Sequence, residues 1–186
     1  MERADFLHLL SPEGQQLLAT VGEVDSKTDV VRLVSKLRAQ GHDAGLVAAV
    51  LTQLKLRRRA AAKFGQFAQR MLFTEAGLEQ ASRLAVAAIH AGRFRDAGLK
   101  KIADLGCGIG AESMALASLD IDVTAVEIDE VTAAVATYNL AVFENARVEN
   151  ADATEVNLDR FDGLFLDPAR RELTGPARAQ ALRKFD

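Results

Sequence analysis

The amino-acid sequence predicts an α/β protein: a parallel sheet of about four strands with helices on both faces, preceded by an all-α N-terminal subdomain. Three observations carry this. From Lys100 onward short apolar runs alternate with helical patterns, the signature of βαβ units. Before residue 70 the apolar positions recur only at helical spacing. Where the first strand meets its helix stands Asp104-Leu105-Gly106-Cys107-Gly108-Ile109-Gly110, whose glycines let backbone come close to a ligand that a Cβ would hold away. A boundary near residue 70 divides the chain into a helical part, 1–70, and an α/β part, 71–186.

In order, Ser11-Pro12 reads as an N-cap followed by proline at the first helical position, opening a helix with Leu17, Leu18 and Val21 inward. Ser26 and Asp29 resemble a capping box ahead of Val30, Leu33, Val34 and Leu37, and Gly41 offers a stop. A further helix carries Leu46, Val47, Val50, Leu51 and Leu54. After Thr74 as cap, one long helix to about Gly92 presents Leu78, Ala81, Ala85, Ala88 and Ile89 as its buried stripe. Then come strand Lys101 to Leu105, a helix to about Leu119, strand Asp122 to Glu127, helix Glu130 to Phe143, strand Arg147 to Asn150 and strand Asp162 to Leu166. The tail Leu173 to Phe185 reads as a loop and an amphipathic helix.

Composition narrows the function classes. The chain has 186 residues, 49% of them hydrophobic, enough for a sizeable core, and no apolar run approaches the ~20 residues of a membrane span. A cytoplasmic location and no membrane partner are expected. The lone Cys107 cannot close an internal disulfide, and His8, His42 and His90 lie too far apart for metal-ligand spacing, so no metal is expected. A net charge of -3 does not announce a nucleic-acid binder. The basic run Lys55 to Lys63 offers a local positive patch, for which a solvated helix face is the plainer reading.

The glycine turn marks a nucleotide-cofactor site, and Glu127 stands about twenty residues after Gly106, where a ribose-binding acid is expected. Gly106, Gly108 and Ala111 also satisfy the dinucleotide fingerprint, so a nicotinamide-dependent oxidoreductase stays open. Two later acids weigh against it: Asp152, just past the third strand, and Asp167, which ends the fourth in Asp-Pro.

The ordered set D-L-G-C-G-I-G, V-E-I-D, N-A-D-A and F-L-D-P-A-R resembles the class I S-adenosylmethionine-dependent methyltransferases over roughly Leu99 to Arg171. The resemblance implies a Rossmann-like fold and S-adenosylmethionine as cofactor. It implies that Asp104, Gly106, Cys107, Gly108 and Gly110 hold the methionine moiety, that Glu127 beside Ile128 binds the ribose, and that Asp152 beside Ala153 binds the adenine amino group. Asp167 and Pro168 then fall beside the transferable methyl, with Arg170 as the third catalytic candidate. The nearest branch is the RNA-base and RNA-cap amino-methylating enzymes such as trimethylguanosine synthase, some of which carry an aromatic segment that closes over the cofactor. Phe73 and Thr74 are the candidates for it, the alternative being that Phe64, Phe67, Met71 and Phe73 simply bury.

This sequence has Ala169 and Arg170 where related enzymes have proline and an aromatic. Arg170 could instead stack on a base or grip a phosphate, and a nitrogen of an RNA nucleobase is the expected acceptor. A non-catalytic RNA- or protein-binding module on the same fold is the remaining alternative. The family fold carries seven strands against the four read here, so a fragment truncated after strand four and missing a C-terminal substrate domain is expected, the alternatives being strands supplied by a partner or a shortened domain. Self-association through the exposed sheet edge would be one consequence.

Overall fold

The structure, a computed structural model, describes residues 3–21 and 27–167. The Ser26 cap, Pro168, Arg170 and the predicted tail helix lie outside the described residues. Helices α1 (Arg3–Leu10), α2 (Pro12–Thr20), α3 (Lys27–Ala39) and α4 (Ala44–Phe64) make up the N-terminal layer. A single hydroxyl closes the first and opens the second: Ser11 Oγ donates to the His8 carbonyl at 2.7 Å and accepts from Gly14 N at 3.0 Å. Asp43, which the sequence reading passed over, caps α4 by accepting from the amides of Gly45 and Leu46.

α1 and α2 approach so closely that a Cβ on Gly14 would lie 2.2 Å from the His8 carbonyl oxygen and 2.9 Å from Leu9 Cα. Both obstacles are backbone and cannot rotate away. Gly14→Ala is therefore expected to cost about 3 kcal/mol, the upper end for overpacking. A denaturant titration checks this; an unchanged midpoint would contradict the packing described.

The long helix expected after Thr74 is two helices, α5 (Glu75–Gln80) and α6 (Leu84–Asp96). Lys63 Nζ donates to the carbonyls of Leu78, Glu79 and Ala81 at 2.8, 2.8 and 2.7 Å, so an ammonium with three protons closes α5. The break at residues 81–83 resets the helical phase. Ala87 and Ala91 face inward at 0% exposure, whereas Ile89, expected on the buried stripe, is 60% exposed.

The basic run divides between core and surface: Lys55, Arg58 and Arg59 stay exposed on α4, as a solvated helix face would, and Arg57 does not. Arg57 is buried and donates to the carbonyls of Met71 and Leu18. Arg59 pairs with Glu75 and Glu79, Lys55 faces Glu75, and Lys63 holds α5. These cations fasten α4 to the segment that follows it.

The sheet comprises β1 (Lys101–Leu105), β2 (Asp122–Glu127), β3 (Ala146–Asn150) and β4 (Gly163–Leu166), all parallel and in the order β3-β2-β1-β4. α7 (Ala111–Ala117) and α8 (Glu130–Leu140) make the crossovers, each ending a little before its predicted limit. α6 and α7 pack over Ile102, Val123 and Phe165; the opposite face, with Ala103, Leu105 and Val126, is covered by the segment after β3 through Ala151, Ala153, Val156 and Phe161. β4 borders the described sheet, with Leu164 and Leu166 exposed.

One hydrophobic cluster runs from Leu9 and Leu46 through Phe64 and Phe73 to Ile109, Val135 and Leu140. The helical layer and the α/β part thus share a core across residue 70. Direction changes at β1, since β2 and β3 lie to one side and β4 to the other. In open α/β sheets ligands bind outside the carboxyl ends of the strands at such a switch point.

Candidate cofactor site

The glycine turn forms because three of its residues adopt positive φ, +80° at Gly106, +56° at Gly108 and +89° at Gly110. It docks on β2 through the amides of Gly106 and Cys107, which donate to the Val126 carbonyl at 2.8 and 3.0 Å. The glycines divide their tasks. A Cβ on Gly106 or Gly108 would meet nothing within 4 Å, whereas one on Gly110 would lie 3.4 Å from Leu140 on α8. The first two leave an open cradle and the third lets the turn seat against a helix.

Glu127 closes the cradle from the β2 side and is 9% exposed. Its Oε2 accepts from Gly108 N and its Oε1 from Asp129 N, both at 3.0 Å. Each oxygen keeps lone-pair capacity, which suits two vicinal hydroxyls donating to one carboxylate. Ile128 beside it is 59% exposed, an apolar surface at the rim.

Asn150, at the end of β3, donates through Nδ2 to the carbonyls of Glu127 and Ile128 at 2.8 and 3.1 Å and so fixes the backbone that carries the acid. Two residues on, Asp152 Oδ1 accepts from Thr154 N and Thr154 Oγ1, starting the short 3-10 helix Ala153–Glu155. Because β3 neighbours β2, the two acids stand on adjacent strand ends.

Asp104 lies beneath the turn, 2% exposed, with its Oδ2 2.5 Å from Ser113 Oγ. Burial pushes its carboxyl up to about 7 from the ordinary 3.8, with the charges of Glu112 and Glu127 adding to the rise. The unfolded chain therefore releases this proton first. The stability it contributes is full below about pH 4 and lost as pH climbs through about 7. Asp104→Asn is expected to flatten that decline in thermal melts across the window; an identical pH dependence in both proteins would contradict it. Burial also raises the Cys107 thiol well above its usual range, so it is a small neutral residue of the turn.

Leu105 pairs with Leu166, so Gly106 and Asp167 leave neighbouring strands at the same level, and Asp167 is exposed there. The structure thus brings Asp104, Gly106, Cys107, Gly108, Gly110, Glu127, Ile128, Asp152, Ala153 and Asp167 to one edge of the sheet. It does not bring Phe73. That ring is 0% exposed and 5.4 Å from Phe64, a core position with no face toward the opening. Thr74 is buried too, its Oγ1 accepting from Gly77 N as the cap of α5. Sequence reasoning gave no role to Asn150, the first residue of N-A-D-A, and missed Ser113, which belongs to no motif. Among the described residues no cluster of three His, Cys, Asp or Glu could hold a metal, and no helix is long and apolar enough to cross a membrane.

A parallel sheet with an open glycine turn at its switch point and a carboxylate at the end of the neighbouring strand is the arrangement of a nucleotide-cofactor fold. Residues 66–176 match the methyltransferase small domain family, and the chain belongs to that family of class I S-adenosylmethionine-dependent methyltransferases. The nicotinamide reading falls with this assignment. Residues 2–60 match a family described as a domain of unknown function. Two curated relatives, uncharacterized S-adenosylmethionine-dependent methyltransferases from two strains of Mycobacterium tuberculosis, are each 37% identical over 122 residues. The match takes in 62% of this chain and 33% of theirs, so the chain spans about a third of the length of the curated relatives it matches. A solved structure from Pyrococcus horikoshii, provisionally assigned as an RNA methyltransferase, superposes with a TM-score of 0.51 at 24% identity, over 70% of this chain and 66% of that one. It shares the fold.

Proposed function

We propose that the chain binds S-adenosylmethionine at the β1–β2 edge and serves methyl transfer to an exocyclic nitrogen of an RNA nucleobase. One observation carries the cofactor half: the Glu127 carboxylate is held by two backbone amides beside a glycine cradle that a Cβ would fill. In this reading Gly106 and Gly108 admit the methionine moiety, Glu127 takes the ribose hydroxyls, Ile128 lies along the adenine and Asp152 accepts from its amino group. Asp104 supports the turn from below through Ser113. The cofactor supplies a sulfonium-bound methyl that is already electrophilic, so the protein's work is to orient the acceptor and exclude competing nucleophiles.

Asp167 carries the acceptor half. It stands at the level of the glycine turn, exposed, and as a carboxylate it can take a hydrogen bond or a proton from an attacking amine. Pro168 is assigned to acceptor binding by the resemblance of Asp167-Pro168 to the amino-methylating branch, and Arg170, which departs from that branch's aromatic, by the capacity of its guanidinium to stack on a base or grip a phosphate. Incubation with methyl-tritiated S-adenosylmethionine and separate pools of RNA, protein and small metabolites tests the acceptor. Label is expected in RNA; label confined to protein or metabolites would overturn the RNA assignment.

A further inference from the structure

The cofactor turn is fastened from behind by a side chain that no motif marks. Between Arg70 and α5 the chain runs extended, and two buried amides grip successive residues of it. From α4, Gln53 Nε2 donates to the Phe73 carbonyl at 2.8 Å and Gln53 Oε1 accepts from Phe73 N at 3.0 Å. From α8, Asn139 Oδ1 accepts from Leu72 N at 2.8 Å and Asn139 Nδ2 donates to the Leu72 carbonyl at 3.0 Å. Only the grip from α8 also reaches the glycine turn. Asn139 Nδ2 uses its second proton on the carbonyl of Ile109, inside the glycine turn, at 3.0 Å.

The geometry points to Asn139 as a positioning residue for cofactor binding, one that fixes the glycine turn against the extended segment at 71–73. This rests on the reading of the turn as the S-adenosylmethionine cradle. Three further observations agree. Asn139 is 5% exposed and the Ile109 side chain 1%, so this hydrogen bond is made away from water. The next residue of the same helix, Leu140, is the side chain against which Gly110 seats, so α8 registers the turn at two successive positions. On its other flank the turn meets α5: a Cβ on Gly77 would come within 2.4 Å of Ile109 Cγ2. A site held within a fraction of an ångström needs such support behind it.

Asn139 and Gln53 form a matched pair for the test, since both hold the extended segment and only Asn139 also holds the turn. The Asn139→Ala, Asn139→Asp and Gln53→Ala variants of the 186-residue chain are titrated calorimetrically with S-adenosylhomocysteine, and amide hydrogen exchange over residues 106–110 is followed without ligand. Asn139→Asp keeps the acceptor for Leu72 N, loses the donor to the carbonyls of both Leu72 and Ile109, and remains informative should the alanine variant fail to fold. The weakened hold on the extended segment is the part that Gln53→Ala reproduces, so the comparison isolates the turn.

Both Asn139 variants are expected to weaken binding by about tenfold and to speed exchange in the turn, while Gln53→Ala keeps Kd within about twofold despite a lower melting temperature. Equal effects of the Gln53 and Asn139 variants on the turn, or none from Asn139, would overturn the proposal. Wild-type protein that fails to bind the ligand at all would instead overturn the cofactor reading, and the exchange comparison would still decide whether Asn139 fixes the turn.

Discussion

Glu127→Ala is expected to weaken S-adenosylhomocysteine binding by about a hundredfold while leaving the chain folded. The carboxylate accepts two backbone amides and retains capacity for two hydroxyl donors, and hydrogen bonds to a charged group contribute about 1.5–3 kcal/mol each. Losing the pair at the lower end of that range is already about 3 kcal/mol, or two orders of magnitude in Kd. Glu127→Gln is not a mild alternative. An amide nitrogen placed at either oxygen position would face the N–H of Gly108 or of Asp129, donor against donor. Both variants should bind weakly in a calorimetric titration, and wild-type affinity in either would remove Glu127 from the cofactor site.

Asp167→Ala is expected to lower the rate of methyl transfer by about a hundredfold or more, within the usual range for losing a positioned proton acceptor. Cofactor affinity should stay within about threefold, because Asp167 ends β4 on the far side of β1 from Glu127. It is exposed, so stability should change little. The asparagine variant divides the two roles open to the carboxylate. An amide oxygen still accepts a hydrogen bond from an amine but cannot take its proton, so Asp167→Asn retains most of the rate if Asp167 only orients the acceptor and loses as much as alanine if it accepts the proton. Transfer unaffected by both variants would place the acceptor chemistry elsewhere.

The α/β part was largely legible in the sequence because its signals are local. β1 and β2 fall on the predicted residues, since each is a short apolar run ended by the glycine turn or by Glu127. The candidate acids could be read for the same reason: each follows a strand, and parallel strands bring their ends to one edge. What could not be read depends on partners distant in the chain. Nothing near residues 81–83 announces the break between α5 and α6, because the group that closes α5 is Lys63, on another helix. The same long-range engagement draws Arg57 and Lys63 out of the basic run to tie α4 to the segments it packs on.

Phe73 illustrates the limit from the opposite side. An aromatic ahead of a glycine turn reads as core or as a flap, core being the commoner outcome, and the packing of Phe73 against Phe64 decides for core. Asn139 sat unremarked in its helix and Asn150 was read only as a strand end and the start of N-A-D-A, since a side-chain amide becomes informative only when the carbonyls it meets are known. Amides of this sort leave no spacing pattern.

The central claim is that the glycine turn and Glu127 form a site for an adenosyl sulfonium and not for a dinucleotide. Parallel calorimetric titrations of the folded chain with S-adenosylhomocysteine and with NADH test it most directly. The account predicts saturable one-to-one binding of S-adenosylhomocysteine, abolished in Glu127→Ala, and no heat from NADH. Saturable binding of NADH with none of S-adenosylhomocysteine would contradict it.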